Sequence, residues 1–211
     1  SSVATGEPRR ALQVLTQAER ILDAHDELYP TPENVWQRSM VGDYQYTPLQ
    51  YRSLIAGLRA RAAQDIGDDR LALAAMRQRT DLLEARLEES EADEDRLELA
   101  GAYHELARLQ FHAKDPNAAA RALERGLELS DEFDANTGSE VTDVGLGLRR
   151  DYAELHLYGA VPQDALRRDV RAELQQSYDM ICKYRNPRWA PQRFLFKSYL
   201  AELELASKRP R

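Results

Sequence analysis

The chain of 211 residues has a single cysteine, Cys182, so no disulfide can form within it. That weakly favours a reducing compartment, although many periplasmic proteins also lack disulfides. No apolar run approaches the roughly 20 residues needed to span a bilayer. No secretory leader is visible at the start, Ser1-Ser2. The chain opens without methionine and reads as a piece of a longer protein, cytoplasmic or periplasmic. Lysine is scarce too. Lys114, Lys183, Lys197 and Lys208 stand against 25 arginines among 29 basic residues, the bias of a GC-rich bacterial genome.

The loops and clusters that announce common chemistry are missing. There is no G-x-x-x-x-G-K-[ST], no G-x-S-x-G and no C-x-x-C. His104-Glu105-Leu106-Ala107-Arg108 begins like the zinc-protease helix H-E-x-x-H, but Arg108 stands where the second histidine ligand is needed. His112, eight residues on, is turned away from the direction of His104. Gly145-Leu146-Gly147 follows no strand and lacks the third glycine of a dinucleotide loop. Cys182, between Ile181 and Lys183, reads as a packed helix residue rather than a nucleophile. The expectation is therefore a non-enzymatic protein with no cofactor, no metal and no catalytic residue. Acids outnumber bases, 36 to 29, for a net charge of −7. An acidic surface repels phosphate backbones, which disfavours nucleic acid as a partner.

What is present is repetition. Gly67-Asp68-Asp69-Arg70-Leu71-Ala72 is echoed by Gly6-Glu7-Pro8-Arg9-Arg10-Ala11 and by Lys114-Asp115-Pro116-Asn117-Ala118-Ala119. In each, a turn residue and an acid precede an alanine that opens an apolar helix. A turn followed by a small residue is how stacked helical hairpins cross closely. Apolar stripes at helical spacing predict helices over 7–26, 48–66, 69–89, 97–113 and 115–133, and near 140–158, 163–185 and 190–207. On the second of these the stripe is Tyr51, Leu54, Ile55, Leu58 and Ala62. Glu88–Asp95 carries six acids and reads as a solvated helix end and loop; it lacks the glycine and ligand spacing of a calcium loop. No strand pattern longer than a few residues occurs. A composition 43% hydrophobic and 31% charged fits one globular domain over 1–211.

The best hairpin, about 97–132, resembles a tetratricopeptide repeat. Tyr103, Leu106 and Ala107 match its first helix, and Ala119, Leu123 and Gly126 its second. Asp131 stands where the family often has a closing proline, and Gln110 where it usually has an aromatic. A second match covers about 50–90 through Ala60, Gly67, Asp68, Ala72 and Met76. A weaker helical part, 140–207, offers Ala153, Ala165 and Ala172 as small residues, with Asp169 where a bulky apolar one belongs. The resemblance implies an all-α fold: helical hairpins stacked as a short right-handed α-solenoid.

In that family the first helix of each pair lines a concave face. The resemblance so places Arg61, Gln64 and Asp65 there, together with Leu54, and then His104, Arg108, Phe111 and His112, with Arg150 and Glu154 after them. It implies a scaffold that docks a protein or peptide segment, with arginines suited to carboxylates. The aromatic insert 28–51, with Tyr44 and Tyr46, reads either as a hydrophobic plug or as a platform for an extended peptide or a polysaccharide. Aromatics at this density are more often packed than displayed, which favours the plug. Two further roles fit the same resemblance: a periplasmic scaffold of a bacterial exopolysaccharide export system, and the helical sensor arm of a larger bacterial regulator.

Overall fold

The computed structural model describes residues 6–28, 48–138, 142–159, 161–184 and 187–207. Among them 90% are helical and none lies in a strand. Eight α-helices follow one another in this part of the chain: α1 (Gly6–Leu28), α2 (Pro48–Asp65), α3 (Asp69–Ser90), α4 (Asp93–His112), α5 (Pro116–Thr137), α6 (Asp143–Tyr158), α7 (Val170–Tyr184) and α8 (Ala190–Ser207). None of these is long and apolar enough to cross a membrane. The sequence reads as one domain; the helices gather into two compact units, residues 1–91 and 92–211. Each helix packs on its chain neighbour: α1 on α2 and α2 on α3 in the first unit, then α4 through α8 in succession in the second. Residues 29–47, which hold Tyr44 and Tyr46, lie outside the described residues.

The repeated motif folds the same way twice. At the α2–α3 turn Gly67 adopts the left-handed conformation, φ 76°. The N–H of Asp68 donates to the Ala63 carbonyl at 2.9 Å. Its carboxylate caps α3 by accepting from the N–H of Leu71, also at 2.9 Å. At the α4–α5 turn Lys114 takes the left-handed place, φ 62°. The N–H of Asp115 donates to the Gln110 carbonyl at 2.9 Å, and its carboxylate accepts from the N–H of Ala118 at 2.9 Å. Four residues past each capping aspartate lies the expected buried alanine, Ala72 at 0% and Ala119 at 1% exposure.

Lys114 does with a Cβ what Gly67 does without one. The left-handed region costs an L-residue roughly 1–2 kcal/mol, partly offset by the greater chain entropy that glycine loses on folding. Lys114→Gly is therefore expected to raise stability by about 0.5–1 kcal/mol in a denaturant titration. A loss of stability would mean that the lysine side chain contributes more than its backbone strain.

Four expectations are corrected. First, α2 does not bury its Tyr51–Leu54–Leu58 stripe. Tyr51, Leu54 and Leu58 are exposed; of the stripe only Ile55 and Ala62 are buried, and they are joined by Ser53, Ala56, Ala60 and Ala63. The alanines let α2 approach its neighbours closely, so the packed face follows them rather than the larger residues. Second, α4 starts at Asp93, ahead of Leu97: Asp93, Glu94 and Asp95 form its first turn. Carboxylates there complement the unpaired N–H groups and the helix dipole. Third, α5 does not close near Phe133 but runs to Thr137. Aspartate at 131 breaks nothing, as a proline would. Fourth, no α-helix begins at 163. Gln163–Ala165 is a single 3₁₀ turn, and α7 starts at Val170. Asp169 is its cap, accepting from the N–H groups of Arg171 at 2.8 Å and Ala172 at 3.1 Å. Of the small residues read in this part, Ala153 is buried, whereas Ala165 and Ala172 are exposed.

In the second unit α5 is flanked by α4 and α6 and carries the core: Ala119, Ala122, Leu123, Leu127 and Leu129 are all buried. A Cβ on Gly126 would lie 2.7 Å from Leu148 Cδ2 and 3.3 Å from the Ala100 carbonyl oxygen, so a larger residue here would have to displace the buried Leu148 side chain. Beyond it, charges close a ring. Arg149 Nη2 donates to Asp131 at 2.5 Å and its Nε to Glu173 at 3.0 Å. Arg168 donates to the same two carboxylates, at 2.6 Å and 2.9 Å. The ring ties α5, α6, the segment before α7, and α7 itself. Burial pulls the Arg168 guanidinium down, but the bonds to Asp131 and Glu173 outweigh it and hold the group above its ordinary value.

Candidate functional site

α4 and α6 touch directly at the sides of a groove whose floor comes from α5. Glycines set the approach. A Cβ on Gly147 would sit 2.8 Å from His104 Cε1, and one on Gly159 would sit 3.0 Å from Phe111 Cε2. Side chains of α4 thus lie over bare backbone near the beginning and just past the end of α6. Between these points is a cavity of about 370 Å³. Ala107, Ala119, Leu123 and Leu155 give it apolar surface, and Phe111 and Tyr158 stand beside them at 43% and 61% exposure. Arg108 and His112 of α4 line it with Arg150, Asp151 and Glu154 of α6.

The charges in this groove are unequally occupied. Asp151 meets His104 Nε2 at 2.7 Å through one oxygen and Arg150 Nη2 at 2.7 Å through the other. Burial pushes the Asp151 carboxyl up, but His104, by hydrogen bond and charge, and then Arg150 overcome it and hold the group below its ordinary value. Glu154 accepts from the Tyr199 hydroxyl of α8 at 2.5 Å and lies 3.8 Å from Arg150. Tyr158 returns the link by donating to Glu202 of α8 at 2.6 Å. The Tyr158 and Tyr199 rings meet edge to face, 6.4 Å apart. Burial, then the bond to Glu154, push the Tyr199 hydroxyl far above its ordinary value. Both carboxylates of the groove are therefore partnered. Arg108 and His112, both exposed, have no hydrogen-bond or ion-pair partner among the described residues.

Of the residues picked from sequence, Arg108, Phe111 and His112 line this one cavity, joined by Arg150 and Glu154. His104 lies one turn before Arg108 and does not line it; its role is to hold Asp151. Arg61, Gln64 and Asp65 are exposed on α2, in the first unit. Tyr44 and Tyr46 lie outside the described residues. Sequence reasoning missed Asp151, Leu155 and Tyr158. The one available signal was the i, i+4 spacing of Glu154 and Tyr158, which puts both on the same side of α6. No group of three or more His, Cys, Asp or Glu among the described residues is placed to hold a metal ion.

The role of His104 can be tested through its neighbour. Gly147→Ala puts a methyl group against the imidazole and is expected to swing it off Asp151. The Asp151 carboxyl should then titrate higher, nearer its ordinary 3.8. A carboxyl-carbon NMR titration measures this, and an unmoved Asp151 would show that the ring adapts without losing its bond. No protein-family model, curated protein or solved structure matches the chain.

Proposed function

We propose that the protein is a non-enzymatic interaction module, a short right-handed α-solenoid of tetratricopeptide type that docks an acidic segment of a partner protein in the α4–α6 groove. The observation that carries this reading is the unpartnered Arg108. It stands beside two carboxylates that already have internal partners, so it is the charged side chain of the groove left without one. A guanidinium with no internal partner suits a carboxylate supplied from outside. The α-solenoid part of the reading rests on the shared turn–cap–alanine geometry of the α2–α3 and α4–α5 hairpins.

The test is selection of random peptides displayed on phage against the immobilised protein, repeated with Arg108→Glu. Acidic sequences should be enriched on the wild type and lost on the variant. Enrichment without acidic bias, or unchanged by the variant, overturns the reading.

A further inference from the structure

We infer that the cavity between α4, α5 and α6 is an anchor pocket for one bulky apolar side chain of the docked segment, and that an acidic residue beside this anchor pairs with Arg108. The inference rests on the groove reading above and adds to it what the groove selects for. The reasons are chemical. Ala107, Ala119, Leu123 and Leu155 present carbon to a space of about 370 Å³, a volume in the range of small ligand sites. Two of these four are alanines, so the chain does not fill the space with its own side chains. Phe111 and Tyr158 leave ring surface uncovered beside it. An apolar group entering here gains burial, as interface anchors do. A hydrogen-bond donor would lose water and find both oxygens of the Asp151 carboxylate already engaged.

The position of the acid follows from charge. Arg108 lines the same cavity and lacks a partner among the described residues. A carboxylate next to the anchor therefore meets a free guanidinium, whereas a basic neighbour would be repelled. His112, one helical turn along, adds a further donor on the same side.

The experiment uses the full chain with methyl-labelled alanine and leucine, and blocked peptides as probes. The first probe is acetyl-Gly-Ser-Glu-Phe-Ser-Gly-amide. The second replaces Phe by Ala, the third replaces Glu by Lys, and the fourth, acetyl-Gly-Glu-Ser-Glu-Ser-Gly-amide, has acids and no anchor. The expected result is saturable movement of the Ala107, Ala119, Leu123 and Leu155 methyl signals with the first probe. That movement should be lost with the second, and binding should weaken about tenfold or more with the third. Phe111→Ala, which removes exposed ring surface beside the cavity, should weaken binding of the first probe. Arg108→Ala should abolish the preference for Glu over Lys. If the anchorless acidic probe binds in an Arg108-dependent way as tightly as the first, while the four methyl signals stay still, the anchor is overturned and the groove reading stands. If no acidic probe binds in an Arg108-dependent way, both are overturned.

Discussion

Arg149→Ala is expected to lower the unfolding free energy by about 3–5 kcal/mol, because it removes two charge-assisted hydrogen bonds, about 1.5–3 kcal/mol each, from a closely bonded set in which one of the two cations is lost. Arg149 is 3% exposed, and two of its nitrogens are bonded, to Asp131 on α5 and Glu173 on α7. Truncation removes those bonds while Glu173, itself 14% exposed, keeps its charge and retains only Arg168. The comparison that isolates burial is Arg188→Ala. Arg188 pairs with Asp143, both mostly exposed, and lies over the Trp189 ring at 4.4 Å, so its loss should cost about 1–2 kcal/mol. Equal effects of the two variants in denaturant titration would remove the ring from the account of stability. A second readout is Asp134. Burial raises its carboxyl above the ordinary value, Arg149 opposes the rise, and Asp131 adds to it. Without Arg149 it should titrate higher still.

The sign of that coupling also fixes a pH dependence. A carboxyl whose pKa is raised on folding binds its proton more readily in the folded state. Ionised Asp134 therefore weakens the fold above its folded pKa, and the penalty is relieved as pH falls toward the ordinary 3.8. The Arg149→Ala comparison should accordingly be made at one fixed pH well above the ordinary 3.8 of Asp134.

The parts of this fold that were legible in the sequence are those governed by local rules. Gly67 and Asp68 announce a turn and a cap in four residues, and Asp115 with Pro116 does so again. Helical spacing places only part of the packed face of α2: Ile55 and Ala62 of the stripe are buried, but the helix packs mainly through its alanines, and Tyr51, Leu54 and Leu58 face outward. The start of α7 was misread because Asp169 was weighed as a failed core position instead of a cap. The groove was half legible. Its α4 side follows from the hairpin resemblance, since first-helix residues at Arg108, Phe111 and His112 share a face. Its α6 side depends on contacts made across some 40 residues of chain, such as His104 with Asp151. Only the contact with Arg150 is local to Asp151; that its other oxygen is held by His104, and that Arg108 is left without an internal partner, depends on the fold.

Arg108→Ala is expected to weaken binding of an acidic segment selected on this groove by about 10- to 150-fold, the equivalent of one hydrogen bond to a charged group, about 1.5–3 kcal/mol. Because Arg108 has no partner among the described residues and its side chain is exposed, truncation removes no internal ion pair, and thermal stability should be unchanged. Arg150→Ala is a different case. It releases Asp151 and loosens Glu154, so it adds free negative charge to the groove as well as removing a cation. Its effect on an acidic ligand should therefore equal or exceed that of Arg108→Ala, with a loss of stability that Arg108→Ala does not show. Arg125→Ala, on α5 and outside the cavity, is the control that should leave affinity unchanged. Raising salt from about 0.05 M to about 0.5 M should weaken the wild type more than Arg108→Ala, since screening acts on the charge the variant lacks. Isothermal titration of one selected peptide against these variants at two salt concentrations reads all of this. If Arg108→Ala and Arg125→Ala bind alike, Arg108 is not the contact, and the acid of the partner is held elsewhere.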